Sequence, residues 1–200
     1  MSSRGPGWPV VGGQRAVFLD RDGTVIEDRD YLADPDGVAL QADAVESLRR
    51  LRDAGYLLAI VTNQSGIGRG WMTAEDAERC NRRTAELLEP HGIHFVGMAF
   101  SGTAPATDDR RVVEHFERKP GAGMLVTLAR EHGIDLTRSW MVGDAERDVV
   151  SGRHAGCQGT VLVDTGGRRE PAASGLIATA RVGTLREAAD VILSRSEGCG

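Results

Sequence analysis

The stretch Ala16-Val17-Phe18-Leu19-Asp20-Arg21-Asp22-Gly23-Thr24 constrains this chain more than any other. Four apolar residues with no polar alternation form a strand only if both faces are covered, as in a parallel sheet packed between helices. The run then ends on two aspartates spaced i, i+2. It therefore delivers two carboxylates to the C-terminal edge of a sheet, where open α/β folds bind their ligands. Gly23 permits the sharp turn that follows. A carboxylate in this place binds a hard cation, attacks phosphorus, or does both. An Asp-Gly pair is also a common turn, so the rest of the chain has to decide.

Four further runs repeat the pattern of an apolar strand with polar residues at its end. Tyr56 to Thr62 leads into the glycine-rich loop 63–70, Ile93 to Phe100 is a third strand, Ser139 to Gly143 delivers Asp144, and Thr160 to Val163 is the last. Helical spacing fills the intervals. Val45, Leu48 and Leu51 mark a helix from Asp43 to Ala54, and Thr73 with Asp76 opens one that runs to about residue 91. Helices over 121–132 and 145–154 follow, and Thr184-Leu185-Arg186-Glu187 is a capping box opening the last. Strands alternating with helices predict a three-layer α/β/α sandwich around a central parallel sheet. The polar stretch 25–41, holding Pro35 and Gly37, predicts a short flap and hence a minimal cap or none. Residues 1–13, rich in Gly, Pro and Ser, are expected to be a flexible tail, with 14–195 a single domain. The polar loop 101–120 is long for a compact domain, which marks it for function.

Composition narrows the partners. The net charge of −5 favours neither nucleic acid nor an anionic membrane surface. No apolar run approaches the ~18 residues of a membrane span, and the first residues lack the apolar core of a signal peptide. Cys80, Cys157 and Cys199 are odd in number and far apart, so they form neither a disulfide framework nor a Cys-x-x-Cys site. Reduced thiols in a cytoplasmic monomer are expected.

Asp20 and Asp22, Thr62 and Asn63, Lys119, and Asp144 with Asp148 all fall at or just beyond strand ends. Each alone has a plain structural reading, since a threonine or aspartate there is often a turn or cap residue. Their charges fit phosphoryl transfer. Three ionised carboxylates contribute about −3, which a Mg²⁺ and Lys119 offset by about +3. Lys119 compensates charge, while Thr62 and backbone N–H groups bind the transferring group. Asp20 can attack in line to form an aspartyl-phosphate, and Asp22 can protonate the leaving oxygen and later activate water.

The stretches Phe18-Leu19-Asp20-Arg21-Asp22-Gly23-Thr24, Thr62-Asn63-Gln64-Ser65-Gly66, Arg118-Lys119-Pro120 and Gly143-Asp144-Ala145-Glu146-Arg147-Asp148 resemble, in order, the four motifs of the haloacid-dehalogenase (HAD) phosphatases. More narrowly, Thr-Asn-Gln-Ser-Gly-Ile-x-Arg-Gly and Arg-Lys-Pro-x-x-Gly-Met resemble the D-glycero-D-manno-heptose 1,7-bisphosphate 7-phosphatases, whose relatives include the histidinol-phosphate phosphatases. The resemblance implies Asp20 as nucleophile and Asp22 as general acid/base. It implies Mg²⁺ held by Asp20, the main-chain carbonyl of Asp22, and Asp144, with Asp148 nearby. Arg21, Thr62, Asn63, Gln64 and Lys119 would face phosphate, and Arg69 and Arg118 the rest of the substrate. The implied substrate is a small sugar bisphosphate, with histidinol phosphate or another small phosphomonoester as the alternative. The family's zinc loop carries cysteines where this chain has Ser101-Gly102-Thr103 and His115-Phe116-Glu117. The thiolates of a closed zinc site are missing, so no structural Zn²⁺ is expected.

Other readings are weaker. A phospho-acceptor receiver would lack the paired aspartates feeding Gly-Thr, and a phosphomutase would need a larger cap to exclude water. Gly66-Ile67-Gly68-Arg69-Gly70 lacks the spacing of a nucleotide P-loop. His91, His94 and the Arg168-Arg169-Glu170 turn read as solvated surface.

Overall fold

Val17 and Leu19 face one side of the opening strand, Ala16 and Phe18 the other, and all four are fully buried. The four-residue run thus sits between two apolar layers. The computed structural model describes residues 12–106, 113–164 and 178–196. Within them six strands form one all-parallel sheet: β1 (Ala16–Leu19), β2 (Leu57–Asn63), β3 (Gly97–Ser101), β4 (Trp140–Gly143), β5 (Gly159–Val163) and β6 (Ala180–Val182), in the spatial order β3-β2-β1-β4-β5-β6.

The first layer packs Leu48 and Leu51 of α1 (Ala44–Asp53), Cys80 and Leu88 of α3 (Ala74–Leu88), and Ala188 and Ile192 of α6 (Leu185–Ser196) against Val17, Leu19, Ile60 and Val142. The second packs Leu125 and Leu128 of α4 (Gly123–His132) and Ala155 of α5 (Glu146–Ala155) against Phe18, Val61 and Met141. A one-turn helix, α2 (Ser65–Gly68), follows β2. Each fully buried Leu, Ile or Phe contributes roughly 1.5–3 kcal/mol, so these two layers hold the sheet edge rigid where it carries polar groups.

The strand order fixes the position of those groups. From β1 the chain winds outward through β2 and β3, then returns to β4 on the opposite side of β1. The winding reverses between β1 and β4, and a crevice opens at the carboxyl ends of two strands whose connections part in this way. Leu19 pairs with Val142 across that junction, and Asp20 N–H donates to Val142 O at 2.9 Å. Asp20 and Asp144 therefore leave the sheet side by side.

The α/β sandwich expected from the sequence is observed, and local differences have local causes. The third strand pairs only over Gly97–Ser101, not from residue 93; Ile93 instead fills the first layer, and Val96 N–H meets Leu58 O just before pairing starts. Helix α3 ends at Leu88, followed by a 3₁₀ turn over Glu89–His91. Asp43 does not cap its own helix; its Oδ2 accepts from Arg186 N–H at 2.7 Å and joins α1 to α6. The capping box at Thr73–Asp76 is present on both sides. The flap after β1 is a small one. Ile26 bridges Asp22 and Leu40, Pro35–Gly37 forms a 3₁₀ turn, and Leu32 O accepts from Cys80 Sγ at 3.5 Å.

Residues 1–11 of the expected tail lie outside the described residues, as do 107–112 of the polar loop, the Arg168-Arg169 turn and Cys199. Gly12 and Gly13 are tied down, by Asp135 Oδ2 and by the Arg138 guanidinium respectively. Burial pushes the Cys157 thiol up to about 12 and raises that of Cys80 as well, so both behave as apolar side chains. Among the described residues no helix is long and apolar enough to cross a membrane.

Candidate active site

Strand β1 leads directly into Asp20, which is only 3 % exposed. Its Oδ1 accepts from Arg21 N–H at 2.7 Å and lies 3.0 Å from Lys119 Nζ. Lys119 reaches the sheet edge from the segment before α4. Its side chain is fully buried, donates to Val61 O at 2.7 Å, and stands 2.6 Å from Asp148 Oδ1. One ammonium thus bridges the strand-end aspartate and the first turn of α5. Asp148 closes that turn by accepting from Ala145 N–H at 3.0 Å. Beside them Asp144 completes a group of three carboxylates whose oxygens lie within 4.8 Å of one another.

Three carboxylates around one lysine leave a surplus of negative charge. Burial pushes the Asp144 carboxyl up to about 8, helped by the charges of Asp20 and Asp148. Burial raises Asp148 too, against the pull of Lys119. Asp144 Oδ1 is buried and has no hydrogen-bond partner among the described residues. A buried carboxylate oxygen without a donor is costly, and a hard divalent cation such as Mg²⁺, ligated through oxygen, would satisfy it. The donor set fits such an ion. Gly23, at φ +76°, turns the chain directly over this group, and a Cβ there would run into the Asp144 carboxylate.

The raised Asp144 carboxyl gives a signed expectation. A carboxyl whose folded-state value exceeds its ordinary 3.8 favours the folded state below that value and loses the contribution as pH rises towards about 8. A cation must displace the same proton. In metal-free protein the Mg²⁺ affinity, read by calorimetry, is therefore expected to tighten up to tenfold per pH unit from about 6 to about 8 and then level off. An affinity flat across that interval would contradict this charge arrangement.

Asp22 is not one of these three carboxylates and has its own set of partners. Both its oxygens accept from the Arg21 guanidinium at 3.1–3.3 Å, and its Oδ2 takes Gln64 Nε2 at 2.8 Å and Thr62 Oγ1 at 3.4 Å. Its side chain is 23 % exposed, against 4 % for Asp20, so it stands at the mouth of the crevice. Four donors hold it in one orientation.

Several residues expected to face phosphate are placed otherwise. Arg21 is fully buried; beyond Asp22 its guanidinium donates to Asn81 Oδ1 at 2.8 Å in α3. In this arrangement its guanidinium orients Asp22 and ties it to α3. Gln64, 5 % exposed, spends its amide on Asp22 and Thr62. Asn63 clamps the Lys119 backbone, donating to its carbonyl at 2.8 Å and accepting its N–H at 3.1 Å. Thr62 stays at the crevice floor, at the end of β2. Arg69 is exposed, with its guanidinium 5.2 Å from the Trp71 ring centroid, and Arg118 donates to Thr103 O at 2.7 Å.

Asn81 and Trp71 lie outside the sequence motifs. A buried asparagine in mid-helix carries no signal until its partner, 60 residues earlier, is known. Trp71 does carry a signal, a large aromatic directly after the glycine-rich loop and before a helix cap.

The comparisons bear on this geometry. The HAD-hydrolase-like family model matches residues 116–188. The D-glycero-beta-D-manno-heptose-1,7-bisphosphate 7-phosphatase of Mesorhizobium japonicum is 37 % identical over 155 residues, covering 74 % of this chain and 69 % of its own. Its namesake in Helicobacter pylori J99 is 34 % identical over 155 residues, covering 77 % and 86 %. Among solved structures, the D,D-heptose 1,7-bisphosphate phosphatase of B. bronchiseptica, complexed with magnesium and phosphate, superposes with a TM-score of 0.77 at 30 % identity, over 90 % of this chain and 99 % of that one.

Proposed function

The chain belongs to the HAD-superfamily phosphatases, within the family of the heptose 1,7-bisphosphate 7-phosphatases, and from that membership we propose that it removes the 7-phosphate of D-glycero-D-manno-heptose 1,7-bisphosphate in a Mg²⁺-dependent reaction. The observation that carries the reading is the convergence of Asp20, Asp144, Asp148 and buried Lys119 at the β1/β4 junction.

In this reading Asp20, Asp144 and the main-chain carbonyl of Asp22 would hold Mg²⁺, with Asp148 beside them. When bound it polarises the phosphoryl oxygens and neutralises their charge. Asp20, fixed by Arg21 N–H and Lys119, attacks phosphorus. The bond from phosphorus to the sugar oxygen breaks, and that oxygen takes a proton from Asp22. Asp22 then removes a proton from water, which attacks the aspartyl-phosphate, releases inorganic phosphate and restores Asp20. Thr62 and Lys119 bind the transferring group. The Arg21–Asp22–Gln64 arrangement keeps the acid/base carboxyl aimed at the leaving oxygen. Arg69 and Arg118 take the second phosphate. The product, a sugar monophosphate, would feed nucleotide-activated heptose synthesis.

Phosphate release with Mg²⁺ from both anomers of heptose 1,7-bisphosphate, beside histidinol phosphate, tests this. One anomer is expected to lead histidinol phosphate by at least tenfold in kcat/KM, as a site built to pair a second phosphate discriminates strongly against its absence. Preference for histidinol phosphate would overturn the substrate and leave the reaction type standing.

A further inference from the structure

Trp71 is 59 % exposed, although its neighbour Met72 is buried. The loop therefore has access to the core and sends the larger, more apolar ring outward. Tyr31, 40 % exposed, comes from the flap and meets Trp71 edge to face, with centroids 4.5 Å apart and planes at 86°. Exposed aromatic surface of this kind marks a binding face more often than chance. The pair is also built into the active-site loop. Trp71 N–H donates to Gly66 O at 2.9 Å, and Gly66 lies two residues beyond Gln64, the residue that holds Asp22. A Cβ on Gly66 would stand 3.0 Å from Tyr31 Cδ1 and 2.9 Å from Met72 Sδ, so glycine lets the flap ring settle on the loop.

Two further observations point the same way. Asp30 and Tyr31 hold φ of +30° and +57°, a conformation that side-chain-bearing residues rarely adopt and that collects at ligand-binding sites. The Arg69 guanidinium lies 5.2 Å from the Trp71 ring centroid, within cation–π range. One exposed cation is thereby held on an exposed ring that itself packs against a second, in the loop that follows the strand carrying Thr62.

We infer that Tyr31 and Trp71 form the platform for the non-reacting part of the substrate: the sugar ring lies with its C–H groups against the aromatic pair, and Arg69, held by Trp71, meets the second phosphate. Aromatic surface is apolar with a negative face, and the C–H groups of a pyranose are apolar and weakly positive, so the two are complementary. A planar guanidinium matches a phosphate bidentately. The sequence determinant of ring recognition is then Trp71, a residue outside the four motifs, acting with the flap.

The inference rests on the bisphosphate reading, and the test separates them. Trp71→Ala and Trp71→Phe are compared with wild type in Mg²⁺ buffer on heptose 1,7-bisphosphate and on glycerol phosphate, which has no ring. For Trp71→Ala the ratio of kcat/KM between the two substrates is expected to fall about tenfold, carried by KM for the bisphosphate, with Trp71→Phe recovering most of it. In addition, the bisphosphate is expected to change the tryptophan emission of the Asp20→Asn protein, and not that of Asp20→Asn with Trp71→Phe. An unchanged ratio, whether both substrates suffer equally or neither does, overturns the platform. An emission change that survives removal of Trp71 does the same. Failure of wild type to release phosphate from the bisphosphate overturns both readings.

Discussion

Asp20→Asn is expected to lower phosphate release by at least about 10⁴-fold while leaving the fold unchanged or slightly more stable. The amide keeps the size of the carboxylate and loses the nucleophile. Its effect on stability follows from the surrounding charges. Asp20 lies beside Asp144, and its charge is a leading cause of the raised Asp144 carboxyl after burial itself. Removing that charge relieves repulsion in the metal-free protein, and Lys119 keeps its 2.6 Å contact with Asp148. Active sites commonly hold such costs, and their removal commonly stabilises. Activity measured beside thermal unfolding in the absence of Mg²⁺ checks both halves. More than about one per cent residual turnover would remove Asp20 as nucleophile, and a large drop in unfolding temperature would mean that Asp20 supports the fold.

Lys119→Met is expected to behave in the opposite way, losing activity and stability together. The thioether fills most of the same volume but leaves Asp20 and Asp148, 3 % and 1 % exposed, without their shared cation, and Val61 O without its donor. Breaking a buried ion pair from one side costs about 3–5 kcal/mol. In a chain of this length that lowers the unfolding temperature by roughly 10 °C. Turnover is expected to fall by at least about 10³-fold, because the variant also lacks a charge beside the transferring group. Combining Lys119→Met with Asp20→Asn should recover part of the stability, since one of the stranded carboxylates is then gone. Full additivity of the two stability changes would deny the coupling.

The contrast between these variants shows what could be read from sequence alone. Strands β1, β2 and β4 are apolar runs closed by polar residues, and the order of Asp20, Thr62, Lys119 and Asp144 along the chain matches one sheet edge. β6 escaped because its three residues are an edge strand with exposed Arg181 at the centre, which leaves no apolar run to detect. The apolar run begins before β3 because Ile93 is apolar for the sake of the core beneath the sheet, not for pairing within it.

Within the site, the sequence assigns residues to loops at the strand ends but not the direction of their side chains. Arg21, Asn63 and Gln64 all sit among phosphate-facing positions, yet each turns inward. The partners that decide this, Asn81 for Arg21, the Lys119 backbone for Asn63 and Asp22 for Gln64, lie 60, 56 and 42 residues away. The sequence counts Asp148 among the three carboxylates, while the resemblance sets it only near the metal. The structure brings its carboxylate within 4.8 Å of the other two and onto the same buried Lys119.

The most direct test is chemical capture of the intermediate. Wild-type protein turning over heptose 1,7-bisphosphate with Mg²⁺ is quenched with borohydride, which reduces an acyl phosphate to an alcohol, and the peptide containing residues 16–24 is then sequenced by mass spectrometry. Homoserine at position 20, dependent on substrate, is the expected result. Steady phosphate release with position 20 unmodified, or reduction at Asp22 instead, would contradict the account.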